Sequence, residues 1–102
     1  PFKSDVLLAL ISLRTLCLAG FAHRDSRRQN AVIGPDDSCK WMDLRTLEDL
    51  EKETEDGRND AFSKDVTTFV DSFGVDASFE RIRLLGDDLP ALLEEMAGIW
   101  RA

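Results

Sequence analysis

Residues 5–18 run apolar nearly all round, opened by Ser4 and Asp5, interrupted by Arg14 and closed by Gly20. Cap, run and terminal glycine predict a helix in the middle of a domain, with neighbours on most sides. A polar stretch over 23–30 then gives way to two short apolar runs, Ala31-Val32-Ile33 and Cys39-Lys40-Trp41-Met42, joined by Gly34-Pro35-Asp36-Asp37-Ser38. Turn residues between short strand-forming runs predict a small hairpin. Over 43–60 the rhythm fades. Leu44, Leu47 and Leu50 are the only large apolar residues there, among eight carboxylates and three basic side chains. That pattern predicts a short exposed helix followed by a loop at Gly57.

Helical spacing returns from Ser63. Val66, Phe69, Val70 and Phe73 fall at i, i+3, i+4 and i+7 before Gly74; Phe79, Ile82 and Leu85 mark a third helix ended by Gly86. Leu89, Leu92, Leu93, Met96, Ala97 and Trp100 trace a last stripe, with Pro90 tolerated in the first turn. Burying one such side chain is worth roughly 1.5–3 kcal/mol, so this helix is expected to dock firmly. The expected fold class is mainly α with a small β-hairpin, in a single domain over residues 1–102.

Composition narrows the function classes. With 43% hydrophobic residues the chain can build a core, and a net charge of −7 argues against nucleic acid as a partner because polyanions would be repelled. Cys17 and Cys39 lie in apolar contexts without metal-ligand spacing, which reads as buried reduced thiols and suits an intracellular compartment, cytoplasmic or nuclear. The N-terminal run has a secretory look, but Asp5 sits in the wrong region, and Arg14 at the centre of a span would cost about 3 kcal/mol. No membrane partner is expected.

The chemistry concentrates in residues 23–43. His23-Arg24-Asp25 followed by Asn30 spells HRDxxxxN, between a buried helix and a hairpin that delivers Asp43 at its end, eighteen residues after Asp25. This stretch resembles the catalytic loop and metal-binding aspartate of the protein-kinase-like superfamily. The resemblance implies a C-terminal lobe of that fold: buried helix, catalytic loop, β-hairpin, then three or more helices. It assigns Asp25 the substrate hydroxyl proton and Arg27 the stabilisation of the transferring phosphoryl group, with Arg28 a second candidate. Asn30 and Asp43 would hold Mg²⁺ against the phosphates of ATP. Structural support of the site would come from His23, bracing the loop against Asp43, and from Arg24, which resembles the arginine that meets an activation-segment phosphate. Asp65 matches an aspartate of the supporting helix that bonds the loop backbone.

The sequence also departs from the family. The usual Asp-Phe-Gly reads Asp43-Leu44-Arg45, and Arg45 lacks the backbone freedom of glycine. The segment from Asp43 to Asp65 is short and no Ala-Pro-Glu follows, which points to an atypical kinase of the effector-associated or fungal kinase-like kind. No glycine-rich loop or strand lysine precedes the first helix, so the nucleotide-binding N-lobe is expected from an upstream segment or a partner protein. Completed in that way, the lobe would transfer phosphate to a hydroxyl-bearing protein or small molecule. The alternative is a pseudokinase-like interaction module without chemistry, with an apolar surface where the other lobe would sit. A third reading, an acidic helical adaptor that carries the motif by accident, would leave Asp25, Asn30 and Asp43 scattered.

Overall fold

The computed structural model describes residues 2–101. Helix α1 (Lys3–Leu18) leads into a short strand β1 (Phe21–Ala22), the loop of residues 23–30, and the hairpin β2 (Ala31–Ile33) and β3 (Cys39–Trp41). A 3₁₀ turn at Leu44–Thr46 and strand β4 (Glu48–Asp49) follow, then helices α2 (Glu55–Asp71), α3 (Phe79–Leu85) and α4 (Leu89–Glu95). The architecture is mainly helical with two small antiparallel pairings, β2 with β3 and β1 with β4. None of the described helices is long and apolar enough to cross a membrane.

α1 is buried or half-buried around most of its circumference. Val6, Ala9, Leu10, Leu13 and Cys17 are buried, whereas Ile11 is 42% and Leu18 71% exposed. α2, α4, β1 and the hairpin surround most of the helix, as its nearly continuous apolar character predicts, and Ser4, Ile11, Thr15 and Leu18 form the one narrow stripe left to solvent. The helix starts earlier than the sequence suggests. Phe2 occupies the N-cap without a side-chain bond, while Asp5 serves in the first turn, where its charge complements the helix dipole. Arg14 does not break the core, because its guanidinium lies over Phe62 and pairs with Asp87 at 2.8 Å.

The acidic stretch differs most from expectation. In place of a short exposed helix and a loop at Gly57, a strand precedes a helix that already includes Gly57. The Thr54 hydroxyl caps α2 by accepting from Gly57 N–H at 3.0 Å, and Glu55 and Asp56 suit its positive end. That first turn is polar all round, so hydrophobic spacing alone could not place it. Strand β4 closes the fold behind the loop. It pairs Glu48 with Ala22 and Asp49 with Phe21, and carries Leu50 into the core at 1% exposure. Leu50 N–H then donates to Gly20 O at 2.7 Å, tying the strand back to the end of α1.

The hairpin register is Ala31 with Trp41, Val32 with Lys40 and Ile33 with Cys39. Alternation puts Ala31, Cys39 and Trp41 against the core, leaving Val32 and Lys40 on the outer face. Trp41 is wedged between His23 and Phe69, and Phe69 meets Phe73 edge-on, which fastens the hairpin to α2. Cys17 is buried, Cys39 half-buried, and both are free thiols.

Leu10 lies on the inner face of α1 with no exposure, whereas Leu84 is 81% exposed. Leu10→Ala is expected to lower the unfolding free energy by about 3 kcal/mol in urea titrations. Leu84→Ala should change it by less than about 0.5 kcal/mol.

Candidate functional site

The loop of residues 23–30 hangs from one carboxylate. Asp65, on the buried face of α2, accepts His23 N–H at 2.8 Å and Arg24 N–H at 3.0 Å, one on each oxygen. Ser26 adds a third tie, its hydroxyl donating to Asp65 O at 2.6 Å. Asp65 is 4% exposed. Burial pushes its carboxyl above the usual range, against the pull of the two amide N–H groups and of the nearby Arg24 charge.

The His23 ring connects the loop to the end of the hairpin. Nδ1 accepts Asp25 N–H at 3.1 Å, so the proton sits on Nε2, which donates to Met42 O at 2.8 Å. Met42 N–H in turn donates to Asn30 O at 2.7 Å. The residue just before Asp43 is thereby fixed from both sides, and the Thr46 hydroxyl reaches back to His23 O at 2.7 Å. Arg24 (φ 72°) and Asp43 (φ 56°) both adopt the left-handed conformation. Such backbone costs of order 1 kcal/mol for a residue with a side chain, and persists where surrounding bonds over-determine it.

Asp25, Arg27 and Asn30 meet directly. Asn30 Nδ2 donates to Asp25 O at 2.8 Å and to Asp25 Oδ2 at 3.2 Å, and the Arg27 guanidinium pairs with Asp25 at 2.8 Å. This leaves Asn30 Oδ1 without a hydrogen bond among the described residues. Asp43 follows the fixed Met42, and its carboxylate is held by Arg45 through Nε at 2.7 Å and Nη2 at 3.0 Å. That pairing holds the Asp43 carboxyl below its usual range. Arg45 itself needs no glycine-like backbone, because the left-handed residue is Asp43 and residues 44–46 form an ordinary 3₁₀ turn.

The remaining candidates point elsewhere. Arg24 pairs with Glu48 at 2.9 Å. Arg28 lies over Phe73, 5.3 Å from the ring centre, while its N–H donates to the Ser72 hydroxyl; it does not join Asp25 as Arg27 does. Among the described residues, no three His, Cys, Asp or Glu side chains gather as a metal-holding group. Asn30 Oδ1 and the Asp43 carboxylate are oxygen donors of the kind a hard cation such as Mg²⁺ takes.

Sequence reasoning missed Arg45, Glu48, Ser26 and Met42. One signal was present: Asp25-Ser26-Arg27 and Asp43-Leu44-Arg45 are both Asp-x-Arg, and in both the arginine folds back onto the aspartate two residues earlier. Met42 acts through its backbone, which side-chain identity does not encode.

Comparisons with protein-family models, with curated proteins and with solved structures returned no match to this chain.

Because the Asp43 carboxyl is lower in the folded chain than in the unfolded one, its contribution to stability is present above the unfolded carboxylate range and is lost as pH falls through its folded value. Arg45→Gln is expected to move the Asp43 titration back up toward the ordinary carboxylate range, read by carboxyl ¹³C NMR against pH.

Proposed function

We propose that the chain is the catalytic-loop lobe of an atypical protein-kinase-like phosphotransferase, which moves the γ-phosphoryl group of ATP to a hydroxyl when completed by an N-terminal nucleotide lobe. The observation that carries this reading is the Asn30 amide bridging Asp25 O and Asp25 Oδ2 while its own Oδ1 stays free. One side chain thus fixes the carboxylate that must meet the acceptor hydroxyl and offers an oxygen to a cation beside it.

In this reading Asp25 accepts the proton of the attacking hydroxyl and aims it in line with the phosphoryl group. Arg27, already on Asp25, would stabilise the charge that the phosphoryl oxygens carry in transfer. Asn30 and Asp43 would hold Mg²⁺, which when bound neutralises the nucleotide phosphates. His23 and Asp65 position the loop, and Arg24 is occupied by Glu48, so the arginine that would otherwise await an activation-segment phosphate already has an anionic partner.

Exposed apolar side chains favour a second reading, a pseudokinase-like interaction module. Val32 is 47%, Met42 55% and Leu44 56% exposed. Val32 lies on the outer face of the hairpin, and Met42 and Leu44 flank Asp43. Exposed apolar side chains beside polar residues suit the docking of another lobe, with or without chemistry.

With an upstream lobe present, Asp25→Ala and Asp43→Ala are each expected to lower phosphate transfer from ATP at least about a hundredfold while the folded state survives. Transfer that continued unchanged in both variants would contradict the phosphotransferase reading. Transfer absent already in the unmodified protein, with a partner bound through Val32 and Leu44, would favour the module.

A further inference from the structure

Arg45 occupies the carboxylate that a cation would need. Its guanidinium takes both Asp43 oxygens, at 2.7 and 3.0 Å, yet the side chain is 87% exposed and makes no other hydrogen bond or ion pair among the described residues. It is joined to Asp43 by a single residue within a 3₁₀ turn, so it stays close wherever it swings. Arginine keeps its charge throughout the accessible pH range, so protonation chemistry cannot clear it from Asp43. Only displacement can.

Resting on the reading of Asp43 and Asn30 as cation ligands, we propose that Arg45 is a resident cation that competes with the divalent ion for Asp43. A divalent ion sits about 2.1 Å from its oxygen ligands. With the guanidinium still on the same two oxygens, three positive charges would share one carboxylate at van der Waals separation. The ion therefore binds more weakly while Arg45 stays, and the exposure of Arg45 means that little packing is lost when it leaves. Arg27 holds Asp25 in the same way, so two guanidiniums balance the two carboxylates of the site. Metal affinity is thus set low by residue 45, and the released guanidinium becomes a donor for whatever anion accompanies the ion.

The test is Mn²⁺ binding to the chain without nucleotide, monitored through the loss of the free-ion EPR signal and through paramagnetic broadening of the Asn30 and Asp43 resonances. Arg45→Gln is expected to bind Mn²⁺ about tenfold more tightly than the unmodified chain, and Arg45→Lys to change affinity less than about threefold. Asp43→Asn should abolish the broadening in either background. Arg81→Gln, which removes the same charge from the pair with Glu95 on α3 and α4, should leave Mn²⁺ affinity within about twofold. Equal affinity in Arg45→Gln and the unmodified chain, both lost with Asp43→Asn, would overturn the competition and leave the phosphotransferase reading standing. Mn²⁺ binding that never depends on Asp43 would overturn both.

Discussion

The site depends on a buried carboxylate that accepts two consecutive backbone amides. Asp65 sits on the buried face of α2 and takes the N–H groups of His23 and Arg24, residues that no helix or strand pairing would otherwise satisfy. A buried amide without a partner costs about 1–3 kcal/mol, so the loop has a strong reason to stay where Asp65 holds it. Arg24 accepts a left-handed backbone at the same point, and the side chains after it are re-aimed as a result. The Asp65 carboxyl stays buried against its own desolvation, which is why its pKa rises.

From that anchor the order spreads outward through short bonds rather than through extensive packing. His23 transmits position to Met42, Met42 to Asn30, and Asn30 to Asp25. Trp41 and Phe69 supply the apolar backing that keeps this chain of polar contacts against α2. Charge is balanced locally: each aspartate of the site holds an arginine two residues downstream, in a chain whose net charge is strongly negative.

Much of the helical framework was legible from spacing. Val66, Phe69 and Val70, and later Ile82, Leu92 and Leu93, occupy the buried positions that a 3.6-residue period gives them. The hairpin was legible from the turn residues between Ile33 and Cys39. The polar first turn of α2 was not, because its signals are a cap and a dipole rather than an apolar face, and Gly57 argued for a loop. Strands β1 and β4 are two residues each, too short for any alternation to show. At the site, the grouping of Asp25, Arg27 and Asn30 is visible as motif spacing, whereas the pairing of Asp43 with Arg45 and of Arg24 with Glu48 arises from backbone turns that residue identity alone does not specify.

The role of Asp65 can be measured without ligand or activity, by native-state hydrogen exchange of the His23 and Arg24 amides. In the unmodified chain both are expected to exchange as slowly as the core amides of α2, because releasing them requires opening the fold. In Asp65→Ala both should exchange at least about a hundredfold faster while the amides of Phe69 and Val70 stay protected. Unchanged protection of His23 and Arg24 in that variant would mean that something other than Asp65 holds the loop, and the account of the site would fail with it.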